Sequence, residues 1–273
     1  MRIALCNEVL RHLPFAEQCA AAATMGYDAL ELAPFTLGQE PHRLSADTVA
    51  GLRRALADAG LTISGLHMLM QAPAGLSITT ADPQVMVQTR DVGERLIALC
   101  AELGGRYLVH GSGEQRRLRE GCESEDRARA IVYFEAMAAV AAKANVTYCI
   151  EALSPARTNY ITSIAEAVAI IDAIGAPSLR TMLDCAQASR NEPDGIPALL
   201  ARYLPSGHIA HIHVNEANGG GPGSGTIDFA AILTTLATLG YDETIGVEPF
   251  VYEPDPITCA RDSLRHLQSC MTP

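Results

Sequence analysis

Short apolar runs alternate along the chain with longer stretches of helical periodicity. A short apolar run bounded by turn residues reads as a buried strand, whereas apolar positions recurring at three- and four-residue spacing read as one face of a helix. The runs are RIALC (2–6), DALELAPF (28–35), LTISGLHML (61–69), RYLVHG (106–111), VTYCIEAL (146–153), LRTMLDC (179–185), HIAHIHVN (208–215) and TIGVEPF (244–250). Helical patterns run through FAEQCAAAATMG and through ADTVAGLRRALADAG, the second with an acidic first turn and a stop at Gly60. Others extend from about Pro83 to Leu103, through DRARAIVYFEAMAAVAAKA, and onward from near Ser163, and a last one ends near Ser269.

This alternation predicts parallel strands joined by helical crossovers. Eight such units in 273 residues predict closure into one (β/α)8 TIM barrel spanning residues 1–273. The competing arrangement, a doubly wound sheet binding a dinucleotide, needs a glycine-rich turn after the first strand, and NEVLRHLP stands there instead. A barrel works at the C-terminal ends of its strands. Polar residues collect at those ends: Asn7, Glu8, Glu31, His67, His110, Glu151, Asp184, His211, His213 and Glu248.

Composition supports a large core, with 48% hydrophobic residues and a mean hydropathy of +0.12. The net charge of −11 argues against nucleic acid and anionic membranes as partners. The first apolar run, Ile3 to Cys6, is too short for a signal peptide, and no later run approaches a membrane span. A cytoplasmic enzyme is expected. The eight cysteines form no CxxC pair and read as reduced, partly buried thiols.

Four of the strand-end residues fall at equivalent places on consecutive strands: Glu151, Asp184, His213 and Glu248. A buried carboxylate needs a cation or strong hydrogen bonds. Three carboxylates and an imidazole converging on one mouth would repel without a positive charge among them, so the pattern predicts one divalent metal. The oxygen-rich donor set suits Mn²⁺ first, with Mg²⁺ or Co²⁺ as alternatives, better than structural zinc. Separate salt bridges or helix caps are the plainer alternative for each residue alone. His211, two residues before His213, faces the same way one layer lower and reads as a supporting or core histidine.

YCIEALSP, MLDCAQ, HIHVNEANGGGPGSGTIDF and IGVEPF together resemble the xylose isomerase-like barrel superfamily, and within it the sugar and sugar-phosphate isomerase/epimerase branch that includes the ketose 3-epimerases. GYDALELAPF, ISGLHML and HGSGEQRR are similar to the same branch, so the resemblance covers essentially the whole chain. It implies a metal held by Glu151, Asp184, His213 and Glu248 that chelates the carbonyl and adjacent hydroxyl of an open-chain sugar. It also implies that Glu151 and Glu248 act as acid and base on opposite faces of one carbon, through an enediolate.

The chain departs from the ketose 3-epimerases around the substrate. Gln187 stands where they have a histidine, Gly219 where they have an arginine and Arg157 where they have a glutamate. The reaction class therefore carries over and the sugar stays open. A metal-dependent lyase or dehydratase acting on a keto-sugar or sugar acid is the alternative, since it uses the same metal and enolate. A DNA-repair nuclease of the superfamily would need three metals, more histidines and a basic groove, against eight His and −11 here. The expected substrate contacts are His67, His110, Arg116, Arg157, Gln187 and Glu8, with Arg116 and Arg157 as candidate grips for an anionic group. The loop GGGPGSG (219–225) reads as a lid or tight turn and not a P-loop, and Asp228 as the cap of the next helix. By analogy with the family, a homo-oligomer of two or four chains is expected.

Overall fold

A computed structural model describes residues 1–271; Thr272 and Pro273, the end of the expected 1–273 span, lie outside the described residues. Eight parallel strands close into a barrel in chain order: β1 (Arg2–Cys6), β2 (Ala29–Leu32), β3 (Thr62–Leu66), β4 (Tyr107–His110), β5 (Thr147–Glu151), β6 (Leu179–Asp184), β7 (Ile209–Val214) and β8 (Thr244–Val247). β8 pairs back onto β1 through Arg2–Thr244 to Leu5–Val247, which removes both sheet edges.

Each crossover carries helix: α1 (Phe15–Met25), α2 (Ala46–Ala59), α3 (Pro83–Glu102), α4 (Glu123–Ala144), α5 (Ile164–Ile174), α6 (Cys185–Asn191), α7 (Ile196–Tyr203), α8 (Phe229–Thr238) and α9 (Pro256–Met271). Local chemistry fixes the ends. Ser45, Asp82, Ser163 and Asp228 accept backbone N–H groups at the starts of α2, α3, α5 and α8, and Gly60 closes α2 in the left-handed conformation. The sixth crossover, where the periodicity marks no helix, holds two short ones. The first starts directly at the barrel mouth, with Asp184 as its cap. No helix among the described residues is long and apolar enough to cross a membrane.

Several strands are shorter than the apolar runs that predict them. The run 28–35 stops pairing at Leu32, where Pro34 opens a single 3-10 turn. The run 61–69 stops at Leu66, just before Met68 takes a positive φ of 50°. The extra apolar residues pack inside loops, so hydrophobicity outlasts the ladder.

Alternation along each strand sorts the side chains. Leu5, Leu30, Leu108, Ile150, Leu183, Ile212 and Val247 point outward into the core shared with the helices. Tyr107, Val109, Cys149 and Met182 point inward as a small separate cluster. Gly65 makes room for Tyr107, because a Cβ there would overlap its ring. The same period turns Glu31, Glu151, Asp184, His211 and His213 into the barrel. All eight cysteines are free thiols, as the absence of paired spacing predicts.

Candidate active site and metal centre

Four strand ends meet at the C-terminal mouth. Asp184 ends β6, His213 lies in β7, Glu248 follows β8 by one residue, and one donor atom from each lies within 4.8 Å of the others. Glu151 ends β5 outside that close group. It lines a cavity of about 290 Å³ together with Glu248, Gln187 and Arg157. The Glu151 carboxylate rests on the bare Cα of Gly111, where any Cβ would overlap Oε2. Asp184 is fixed from both sides: Oδ1 accepts the Gln187 N–H at 2.7 Å and Oδ2 accepts the Asn215 amide at 2.7 Å.

Beneath this mouth, Glu31 is a hub. Its Oε1 lies 2.8 Å from His213 Nε2, and its Oε2 lies 3.0 Å from His211 Nε2. Tyr107 donates its hydroxyl to the same Oε2 at 2.7 Å and stacks on the His211 ring at 3.9 Å between centroids. An imidazole that gives Nε2–H to a carboxylate keeps a lone pair on Nδ1. That Nδ1 stands 3.0 Å from Glu248 Oε2 without the alignment for a hydrogen bond. A histidine tied at one ring nitrogen to a carboxylate and open at the other is the usual posture of a metal ligand. The donor set and this orphaned nitrogen fit a divalent cation.

The electrostatics lead the same way. Burial pushes the Glu151 carboxyl well up, and Glu248 and Asp184 push it further. Burial also raises Asp184 and Glu248, against the opposing pull of His213. Glu31 is the exception: burial would raise it, but His213, His211 and His67 together outweigh that and hold it well below the usual carboxylate range. Burial alone would lower His213, yet Glu248 and Glu31 on either side push it well up. A cation between Asp184, His213 and Glu248 would let all three carboxylates at the mouth ionise.

The residues expected to touch substrate divide. Gln187 and Arg157 line the cavity, Gln187 buried and Arg157 exposed at the rim. His67 and Glu8 lie inside the mouth, His67 Nε2 2.9 Å from Glu8 Oε2. His110 and Arg116 do not line the cavity. His110 falls on the outward register of β4, between Tyr133 and Phe134 of α4, with Nδ1 2.7 Å from the Tyr148 hydroxyl. Arg116 is fully buried and donates to the carbonyls of His110 and Ile161, each at 3.3 Å. It ties the loop after β5 to the end of β4, with its Nε left without a partner.

The glycine loop 219–225 is a packed turn. A Cβ at Gly221, Gly223 or Gly225 would run into Ser263, His266 or Glu216 respectively. Glu216, itself buried, accepts the Gly223 and Ile227 N–H groups. Sequence reasoning missed the roles of Glu31, Tyr107, Asn215 and Gly111. The alternation did turn Glu31 inward, but its partners lie 76 to 182 residues away, and no local spacing reveals them.

The model of the xylose isomerase-like TIM barrel family matches residues 19–270. An L-ribulose 3-epimerase of Mesorhizobium japonicum is 28% identical over 206 residues, 75% of this chain and 67% of that protein. A putative hydroxypyruvate isomerase of Streptomyces coelicolor is 28% identical over 261 residues, 89% of this chain and 86% of that protein. Among solved structures, 3-keto-D-glucoside 4-epimerase from E. coli superposes with a TM-score of 0.83 at 21% identity, over 99% of this chain and 100% of that one.

Proposed function

The chain belongs to the xylose isomerase-like TIM barrel family, and on that premise we propose that it is a divalent-metal-dependent sugar isomerase or epimerase, moving a proton at a carbon next to a carbonyl. One observation carries the proposal: two buried carboxylates from well-separated strands, Glu151 and Glu248, face one cavity beside the Asp184–His213 pair. The cavity, about 290 Å³, is at the small end for ligand sites and suits a single sugar. The names of the two relatives, a ribulose 3-epimerase and a hydroxypyruvate isomerase, support the same chemistry.

Asp184, His213 and Glu248, with Glu151 completing the set, would hold a divalent ion such as Mn²⁺, Mg²⁺ or Co²⁺, which would supply Lewis-acid polarisation of the substrate carbonyl. The protein does the rest. One glutamate removes the proton next to the carbonyl and the other returns it from the opposite side, which is what inversion at carbon requires. Burial raises both carboxyls, and Glu248 and Asp184 add to the rise at Glu151. Glu31 holds His213 in one tautomer and Asn215 holds Asp184, so neither drifts during proton transfer. Gln187 spends its Oε1 on the Ser154 N–H and keeps its NH₂ for a substrate oxygen. Arg157 at the rim suits a phosphate or carboxylate on the far end. A homo-oligomer and a cytoplasmic location complete the reading.

The test is to incubate Mn²⁺-loaded protein in D₂O with ketoses, ketose phosphates and keto-sugar acids, with an EDTA-treated control. The expected result is metal-dependent uptake of one deuterium into an isomeric product. Loss of water from the product would make the enzyme a lyase instead. No exchange with any substrate, metal bound, would overturn the reading.

A further inference from the structure

The barrel mouth gathers more buried carboxylates than one divalent ion can bind. Five carboxylates converge there: Glu8, Glu31, Glu151, Asp184 and Glu248, each no more than 6% exposed. Glu31 is satisfied by its two histidines and Tyr107. A cation among Asp184, His213, Glu248 and Glu151 answers those three carboxylates. Glu8 remains. Both of its oxygens are buried and make no hydrogen bond, and both nitrogens of the fully buried His67 are equally without one. The two groups face each other, with His67 Nε2 2.9 Å from Glu8 Oε2, out of line for a hydrogen bond. His67 Nδ1 lies 3.5 Å from Glu248 Oε1. Burying polar groups without partners is costly, and one imidazole nitrogen of His67 beside the Glu8 carboxylate is a donor pair that a cation can bind.

Cys6 completes the arrangement. It ends β1 on the inward register, fully buried, and its Sγ lies with donor atoms of Glu8, His67 and Glu248 inside a mutual spacing of 4.8 Å. A thiol among carboxylates is poorly placed to bind a sugar hydroxyl and well placed to ligate a soft cation.

We propose that Cys6, Glu8, His67 and Glu248 form a second metal site, for a zinc-like divalent ion, joined to the first through the shared carboxylate of Glu248. The donor set, one sulfur, one nitrogen and two oxygens, is four-coordinate and suits Zn²⁺. Bond lengths of about 2.0–2.3 Å place tetrahedral donors roughly 3.3–3.8 Å apart, inside the 4.8 Å mutual spacing of the cluster. Glu248, with one oxygen toward each cluster, becomes a bridge: Oε2 faces His213 and Oε1 faces His67. The second ion anchors Glu248 from below and pairs with Glu8. The inference shares Glu248 with the proposed active site but requires nothing of the sugar reaction.

Metal-stripped full-length protein is titrated with Co²⁺, a spectroscopic stand-in for Zn²⁺, following the near-ultraviolet thiolate-to-cobalt charge-transfer band. Bound metal is counted by plasma mass spectrometry after gel filtration from Zn²⁺ plus Mn²⁺. The expected result is two equivalents per chain and a thiolate band. Cys6→Ser should lose the band and one equivalent while keeping the other. Asp184→Asn should keep the band, even if the epimerase reading fails. Glu8→Gln, which leaves β1 untouched, should weaken Co²⁺ binding at least tenfold and serves if Cys6→Ser misfolds. A single equivalent without a thiolate band, or a band that survives Cys6→Ser, overturns the proposal.

Discussion

Replacing Glu31 by Gln tests whether the site is organised from below. The carboxylate receives contacts at 2.8 Å from His213, 3.0 Å from His211 and 2.7 Å from Tyr107. The amide has the same shape but only one accepting oxygen, and its NH₂ would face another donor. Tyr107 can rotate its hydroxyl and His211 can exchange its ring proton. His213 has less freedom, because its lone pair must remain on Nδ1, toward Asp184 and Glu248. A hydrogen bond to a charged group contributes about 1.5–3 kcal/mol, and loss of such a partner behind a ligating histidine typically costs 10–100-fold in metal affinity. The expected result is thus a dissociation constant for Mn²⁺ raised about 10–100-fold, equivalent to about 1.4–2.7 kcal/mol. The free Mn²⁺ signal in electron paramagnetic resonance, titrated at fixed pH, measures it directly. If Glu31→Gln binds Mn²⁺ within twofold of the parent while Asp184→Asn abolishes binding, Glu31 does not set the ligand and the reasoning fails.

Glu151→Gln and Glu248→Gln should each lower turnover by about 10²–10⁴, the usual worth of a general acid or base, with deuterium wash-in as the assay; full exchange in either variant would sink the two-glutamate mechanism. Gly111→Ala should displace the Glu151 carboxylate, whose Cδ would lie 3.0 Å from the new Cβ, and cost on the order of 10²-fold in kcat with the melting temperature nearly unchanged. Asp126 lies buried under Arg119 and Arg129, and hydrogen bonds led by Arg119 hold its carboxyl below the usual range. A depressed folded-state pKa contributes stability above the unfolded value of about 3.9 and loses it as pH falls toward the folded value. Asp126→Asn should therefore cost about 2 kcal/mol at pH 7, and the gap in urea midpoints should narrow at pH 3; a gap independent of pH would show that packing, not charge, matters there.

How much of this was legible beforehand depends on the range of the interaction. Local and periodic information determined the eight strands, the closed barrel, the helix caps at Asp228 and Gly60, and the strand ends where function collects. Each of these follows from a period of two or 3.6 residues, or from a single residue's backbone preference. The inward direction of Glu151, Asp184 and His213 came from the same alternation. The directions of His110 and Arg116 were not legible, because closeness in sequence to a strand end does not fix where a side chain points: His110 falls on the outward register beside Tyr148, and Arg116 reaches the carbonyls of His110 and Ile161. Tertiary structure alone decided that Glu31 would gather Tyr107, His211 and His213. It alone brought Cys6 at the end of β1 and Glu8 in the turn after it beside His67 and Glu248, which follow β3 and β8. Barrel closure creates those contacts, since it joins β8 to β1 and turns distant strands onto one axis. Polar groups stranded there must find charge partners from wherever the ring delivers them, and no local sequence pattern records that meeting.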